Sequence, residues 1–409
     1  VVGRDDKGFW TVTTDAAVTP WQIEDGSGNP VEATGDEQVE LFRSVKAGNG
    51  RVEIALTDGG TLSAAQVNDL SVAGTANCYV VSAPGTYVFN ARVRGNGAGE
   101  GVGFEPAIEM ADGMTADWLW TDSEGLVSGV ALDTTSGDIF LTVGEGRGNA
   151  LVALMQDGKV VWSWHVWVTD APQTMTYGNG TVFMDRNLGA AGTTAGGTDA
   201  YGMYYQWGRK DPFYGGEKTE TSANAFLEAK NGTVVNPAYP ALDWAFSKSA
   251  TTTDGAAANP MTFYNDKVGT GYNWLASPNA TLWGEAKTLN DPCPPGYRVP
   301  GTGAWEDLIS GRQYIDGVSV WDGTNYGMTY THGGQTAWYP AQGYRNYSSG
   351  AIVGLRSSTG GSGAYWSAET SSVKSYYLFF RSKLSSSGSI NNELDMNRSY
   401  GYTVRCCKE

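Results

Sequence analysis

Histidine is almost missing from this chain: His165 and His332 are the only two in 409 residues. The H-E-x-x-H pair of a helical zinc protease is therefore excluded. A serine–histidine–acid site would need one of these two beside an activated serine. Cysteine is scarce as well, with Cys78, Cys293, Cys406 and Cys407 the full set. No C-x-x-C spacing occurs, so neither a zinc ribbon nor a thioredoxin-type dithiol is supported. Long apolar runs are lacking too. The longest, residues 160–168, is interrupted by Ser163 and His165 and falls short of the roughly 20 residues that a membrane-spanning helix needs. Positive charge is under-represented, with 27 Lys and Arg against 43 Asp and Glu and a formal net charge of −16. Such a chain repels phosphate backbones and anionic lipid, which argues against nucleic-acid binding and polybasic membrane association. The sequence starts Val1-Val2-Gly3, so the lack of a leader is no argument for the cytoplasm.

What is abundant points the other way. Glycine, at 56 residues, is about twice its average share, and 22 Tyr and 15 Trp accompany only 17% charged residues. This composition predicts many short strands, Gly-rich turns and aromatic cores. The length predicts two or three domains at about 100–200 residues each. Val52, Ile54 and Leu56 alternate with polar neighbours as in a half-buried strand, ended by Asp58-Gly59-Gly60. Strands are expected at 78–81 and 87–93, flanking a type II turn at Ala83-Pro84-Gly85. Three more are expected at 139–143, 150–155 and 160–168, the last two joined by the hairpin signal Asp157-Gly158. In 160–168, Trp162, Trp164, Val166 and Val168 share one face and Val161, Ser163, His165 and Trp167 the other. A strand apolar on both faces belongs inside a sandwich or between packed domains. Asp170-Ala171-Pro172 breaks the pattern, which divides the chain into β modules at 1–70 and 71–171 and a domain at 172–409. Beyond the break, Gly, Ser, Thr, Asn and Tyr suggest loops. Short helices are expected at 223–230 and 304–309, and strands at 376–380, 393–396 and 402–406.

Other chemical signatures read as structure. Gly95-Asn96-Gly97-Ala98-Gly99-Glu100-Gly101 lacks the Gly-Lys-Ser/Thr ending and the helix of a phosphate loop. Gly360-Gly361-Ser362-Gly363-Ala364 misses the nucleophile elbow by its last residue and reads as a flexible loop. His165, in a Trp-rich strand, reads as a hydrogen-bonded core or interface residue.

Five ordered blocks carry a resemblance. They are Val182-Phe183-Met184-Asp185-Arg186-Asn187-Leu188; Gly202-Met203-Tyr204-Tyr205-Gln206-Trp207-Gly208; Cys293-Pro294-Pro295-Gly296-Tyr297-Arg298-Val299-Pro300 with Trp305; Ala364-Tyr365-Trp366-Ser367-Ala368-Glu369; and Gly401-Tyr402-Thr403-Val404-Arg405-Cys406. This order resembles the Fibrobacter-type major paralogous domain, similar to C-type-lectin-like and formylglycine-generating-enzyme-like folds. Upstream, Asn77-Cys78-Tyr79-Val80-Val81-Ser82-Ala83-Pro84-Gly85 and Trp162-Ser163-Trp164-His165-Val166-Trp167 look like the linking β domain of fimbrillin-family surface proteins of Bacteroidetes. The resemblance implies a mainly β chain: N-terminal β-sandwich (immunoglobulin- or transthyretin-like) modules followed by a C-terminal α+β, C-type-lectin-like domain. It implies an outer-surface or pilus-tip adhesin, not an enzyme, with a host or microbial glycan or protein, or other pilus subunits, as partners. A glycan-capturing surface lipoprotein is one alternative, and an oxidase of formylglycine-generating type is another.

The resemblance also frames the site residues. Formylglycine-generating enzymes use cysteines with copper, but adjacent Cys406 and Cys407 on a strand would point to opposite faces. Cys293 is therefore expected to pair with Cys406 or Cys407, with Cys293–Cys406 the candidate disulfide and the remaining cysteine buried. The Glu-Pro-Asn, Gln-Pro-Asp and Trp-Asn-Asp motifs of calcium-dependent lectins do not occur. Asn391 to Asn397 offers hard oxygen ligands but reads as a solvated strand edge, so no cofactor and no metal is assigned. The remaining candidate surface is a long loop region at 313–366, rich in amphipathic aromatics suited to binding. Its candidate ligand-binding residues are Tyr344, Asn346, Tyr347, Trp321, Asn325, Tyr326 and His332. Trp338-Tyr339-Pro340 and Tyr365-Trp366-Ser367 are expected to be framework.

Overall fold

The computed structural model is mainly β and divides into two compact units, Val1–Gln66 and Val67–Glu409. In the first it describes backbone strands only, within residues 2–65. In the second it describes residues 67–97, 106–215, 233–265, 273–355, 361–382 and 389–409. The helix expected at 223–230, the turn Asp58-Gly59-Gly60, the end of the Gly-rich loop after Gly97, and Gly360 lie outside the described residues. In the first unit, Phe42–Gly48, Arg51–Leu56 and Thr61–Ala65 form an antiparallel meander, and Val2–Arg4, Trp10–Val12 and Trp21–Gln22 form another.

The second unit begins with two sheets facing each other. One has the spatial order Val234–Val235, Met114–Thr121, Gly148–Gln156, Lys159–Val168, Cys78–Val81; the other runs Val127–Asp133, Asp138–Val143, Gly85–Asn90, Val67–Asp69. Phe89, Ile139 and Leu141 from the second sheet and Val152, Leu154 and Trp164 from the first fill the space between them. The hairpin at Asp157-Gly158 forms as expected: φ is 51° and 74° at the two positions, the double positive φ that a type I′ turn requires.

The type II turn at Ala83-Pro84-Gly85 does not form. Gly85 has φ 157°, far from the roughly +80° of that turn, and the strands on either side lie in different sheets. Cys78–Val81 is mostly buried and pairs in parallel with Lys159–Val168. An apolar strand gains more by entering a doubly covered sheet than by folding back on its neighbour.

Lys159–Val168 is two-faced as its sequence predicts, except that a register shift between Leu154 and Met155 brings Val161 against the sandwich core instead of onto the face of Trp167. Trp164, Val166 and Val168 point into the sandwich. Val160 and Trp167 join Cys78, Leu151 and Met155 on the reverse side, in a core with Met184, Trp207, Phe213 and Val404. The five-stranded sheet is thus a middle layer, and the core runs across the Asp170–Pro172 break.

His165 sits in that layer, hydrogen-bonded through Nε2 to Asn149 Oδ1 (2.8 Å) and through Nδ1 to Tyr205 Oη (3.3 Å). Burial lowers its pKa to about 3. The unfolded chain takes up a proton as the pH falls through the ordinary value near 6.5 and the native state does not, so stability drains away from about pH 6.5 downward. Asp122, joined to the same network through Asn149, is held up at about 6 by burial and acts oppositely, but equally in wild type and His165 variants. Wild type should outperform His165→Gln in thermal melts at pH 7.5, and the gap should close by about 3 kcal/mol on going to pH 4. A gap that stays constant with pH would remove the neutral buried imidazole from the account.

The remainder of the unit is built on a mixed sheet in the order Ile352–Val353, Tyr344–Arg345, Gly401–Thr403, Ser362–Ser371, Lys374–Arg381, Ile390–Asn397, with Tyr204–Gln206 also paired to Gly401–Thr403. The hairpin of Ser362–Ser371 and Lys374–Arg381 is the divider. Ala364, Trp366 and Tyr377 face the core behind the sandwich. Tyr365, Leu378 and Phe380 face another core with Trp305, Met328 and Tyr339. The flexible loop expected around Ser362 is therefore a buried strand. The loop region expected at 313–366 is, among its described residues, about half strand, including the meander Ser319–Asp322, Gly327–His332, Gln335–Pro340. Burial of Met328 and Tyr330 beside more exposed Thr329 and Thr331 is the period-2 alternation that its Gly and Asn content masks.

The helix expected at 304–309 is a 3-10 helix at Thr302–Leu308, whose three-residue repeat puts Trp305 and Leu308, both buried, on one face. The six-residue helix Thr253–Ala258, capped by Thr252 Oγ1 accepting from Gly255 N, was not anticipated. The expected strand 402–406 is split between Gly401–Thr403 and Cys407–Lys408, in different sheets. Cys293 is bonded to Cys406 with the Cα atoms 5.9 Å apart, and Cys78 and Cys407 are free and buried. Cys406 belongs to one core and Cys407 to the other, as alternation along an extended chain dictates.

Arg209, Arg398 and Arg405 are buried on aromatic faces, with Arg398 Cζ 4.4 Å from the Trp207 ring and Arg405 Cζ 3.7 Å from the Tyr339 ring. Backbone carbonyl oxygens accept from each of them: Thr262 O from Arg209, Asn279 O from Arg398 and Trp338 O from Arg405. A planar, weakly hydrated guanidinium tolerates such a setting where an ammonium would not.

Candidate aromatic binding surface

Tyr344 opens the short strand Tyr344–Arg345 next to Gly401–Thr403. Its ring lies 5.7 Å from Tyr400 and 5.5 Å from Tyr402, and Tyr347 lies 4.9 Å from Tyr400. Asn346 is what places Tyr347. Its Oδ1 accepts from Ser348 N (2.8 Å) and Ser348 Oγ (2.7 Å), and its backbone closes the loop onto Ala351 and Gly350. The asparagine thus shapes the loop through an Asx turn.

Beneath the half-buried Tyr344, Tyr347 and Tyr400 lie Trp366, Tyr377 and Tyr402, all buried, with Trp366 4.3 Å and Tyr377 4.8 Å from Tyr402. Phe379 and Met396 flank them on the same side of the sheet, and the exposed Leu394 (37%) is paired with Tyr377. An aromatic and apolar patch results on this face of the sheet, half-buried except at the exposed Leu394. Burial pushes the Tyr400 phenol up to about 12 and raises that of Tyr344, so both stay neutral at physiological pH and offer hydroxyls that donate and accept. The Lys374–Asp395 ion pair (3.2 Å) joins Lys374–Arg381 to the edge strand Ile390–Asn397.

The other four candidate residues sit elsewhere. Trp321 packs on Phe380 (6.4 Å) in the core on the opposite face of the dividing hairpin. Asn325 Nδ2 donates to Asp322 Oδ2 (2.7 Å), Tyr326 takes a positive φ of 54° in the same turn, and the exposed His332 lies parallel to Tyr330 at 6.5 Å. The structure brings Tyr344, Asn346 and Tyr347 together and separates them from Trp321, Asn325, Tyr326 and His332. Tyr400, Phe379, Met396 and Leu394 escaped sequence reasoning. Their alternation, Tyr377 with Phe379 and Tyr400 with Tyr402, was readable, but which strands lie side by side was not.

Along Ile390–Asn397 the oxygen-bearing side chains are engaged separately. Asp395 meets Lys374, Asn392 Nδ2 donates to Thr302 O, and Asn391 Oδ1 accepts from Glu393 N. Among the described residues no group of three His, Cys, Asp or Glu could hold a metal ion, and no helix is long and apolar enough to cross a membrane. Trp338, Tyr339, Tyr365 and Trp366 are buried framework, as expected. In comparisons with known proteins, no family model, no curated protein and no solved structure matches this chain.

Proposed function

We propose that this protein is a non-catalytic bacterial surface adhesin, at home at a pilus tip, that holds a host or microbial glycan or protein on the patch of Tyr344, Tyr347 and Tyr400. The observation that carries the reading is the half-exposed ring cluster seated on buried Trp366, Tyr377 and Tyr402. Rigid aromatics with polar tips give contact area at little conformational cost, which is why Tyr is enriched where proteins bind partners. The Cys293–Cys406 disulfide suits an oxidising, extracytoplasmic location. The sequence resemblance supplies the architectural side of the reading: immunoglobulin- or transthyretin-like β modules carrying a C-type-lectin-like head, exported to the outer surface.

The test is binding to whole cells and to a glycan array by the wild type and by a Tyr344→Ala, Tyr347→Ala, Tyr400→Ala triple variant. The variant should lose binding by at least tenfold, since a binding hot spot is worth about 2 kcal/mol or more, while its disulfide and its near-ultraviolet circular dichroism signal persist. Full retention of binding by a folded triple variant would sink the proposal.

A further inference from the structure

A cleft of ≈ 940 Å³ opens where the sandwich meets the later half of the second unit, a volume in the range of small-molecule sites. Its floor is apolar. Val161, Ala257 and Leu289 line it, half-buried, and pack against the sandwich core. A β-bulge presents Val161 there. Leu154 pairs with Trp162 and Met155 with Val160, which leaves Val161 without a cross-strand partner. Bulges re-aim side chains in this way and recur beside active sites. The walls come from the helix Thr253–Ala258 and from residues 279–290.

The cations at the cleft are engaged. Lys287 Nζ donates to the carbonyls of Cys293 (2.9 Å), Pro294 (2.7 Å) and Tyr297 and lies 3.9 Å from Glu409, and Arg94 donates to Pro106 O (3.1 Å). The groups open to a ligand are neutral or acidic. The amide of Asn290 and the carboxylate of the exposed Asp254 hold no partner among the described residues. Asn279 is used through Oδ1 alone, which accepts from Thr281 N and Oγ1 (both 2.8 Å). Thr253, Ala257 and Asn290 also border a water-sized void beside Arg209, which is 2% exposed and whose Nε–H meets no acceptor among the described residues. A buried donor left unmatched is costly unless an oxygen completes it. Hydroxyls accept and donate at once, so one polyol can serve amides, a carboxylate and a buried N–H alike. A pyranose adds a C–H face suited to the apolar floor, and its neutrality avoids placing an anion against Asp254.

We propose that this cleft is a binding site for a neutral saccharide, with a pyranose C–H face on Val161, Ala257 and Leu289 and the hydroxyls on Asn279, Asn290 and Asp254. It shares no residue with the tyrosine patch and does not rest on the adhesin reading. Free cellotriose and maltotriose test it, with trigalacturonate as the acidic control, each titrated into the intact chain and followed by nuclear magnetic resonance. At least one neutral trimer should bind at a single site with a dissociation constant on the order of 1 mM, too weak to survive the washes of an array. Trigalacturonate should bind at least tenfold more weakly. Asp254→Ala should weaken the neutral trimer about tenfold, the loss of a hydrogen bond to a charged acceptor, and Asn290→Ala about fivefold, that of a neutral one. Neither side chain has a partner among the described residues, so both variants should melt with the wild type. The Tyr344→Ala, Tyr347→Ala, Tyr400→Ala variant should bind the trimer as the wild type does, so failure of the patch and failure of the cleft read out separately. Binding of neither neutral trimer, equal binding of trigalacturonate, no shift in either cleft variant, or loss of binding in the tyrosine variant would overturn the proposal.

Discussion

Severed at Ala171, the chain is expected to yield two pieces neither of which folds alone. Composition alone places a domain boundary there, and a connecting segment without regular structure does occupy residues 169–173. The packing argues against independent halves. Leu119, Leu151, Met155 and Trp167 from the sandwich side share one core with Met184, Tyr205, Phe213 and Trp283 from the other. Buried polar groups cross the same boundary. Trp167 Nε1 donates to Ala190 O (2.9 Å), Ser163 Oγ to Asp211 Oδ1 (2.7 Å) and Asn77 Nδ2 to Leu289 O (2.7 Å). Each large apolar side chain returned to water costs roughly 1.5–3 kcal/mol, and each orphaned buried polar group about 1–3 kcal/mol more. Eight such residues and several broken bonds together exceed the roughly 5–15 kcal/mol that holds an entire domain. Residues 67–171 and 172–409, expressed separately, should each show no cooperative melt and should aggregate, and co-expression should rescue both. A sharp thermal transition from either piece by itself would contradict the shared core.

Loss of the Cys293–Cys406 bond is the second large effect. It closes a loop across a sequence separation of 113, for which the chain-entropy account gives about 4–5 kcal/mol. In a unit of this size that corresponds to a fall in melting temperature on the order of 10 °C. A Cys293→Ala, Cys406→Ala variant should reproduce the melting temperature of the reduced wild type, and adding reductant to the variant should change nothing further. Cys407→Ala, which removes a thiol from the other core, should cost much less and keep its sensitivity to reductant. Thiol titration of the denatured, unreduced chain should count two free cysteines, Cys78 and Cys407. Four would refute the bond, and a normal melting temperature for the double variant would refute its weight.

Sequence reasoning reached furthest where a signal is local. The Asp157-Gly158 turn was legible because only a few residue pairs accept two successive positive φ angles. The double-faced burial of Lys159–Val168 followed from apolar residues at both parities of the strand. It did not extend to the turn at Ala83-Pro84-Gly85, where good local chemistry lost to sheet pairing, nor to residues 313–353, whose Gly and Asn content hid a meander.

For this protein, then, the sequence by itself determined a mainly β chain, an acidic surface, aromatic cores, the pool of cysteines able to pair, and an aromatic-rich stretch that contains Tyr344 and Tyr347. Only the tertiary structure decided that Cys406 rather than Cys407 meets Cys293, that Tyr400 completes the patch while Trp321 and His332 stand on the other side of a hairpin, and that Arg94 and Asp254 share a cleft. The division has one physical cause. Alternation, turn chemistry and charge are set by neighbours in the chain, whereas these sites are assembled by strand order within a sheet. That order is selected by the total apolar area buried, a quantity to which residues hundreds of positions apart contribute together.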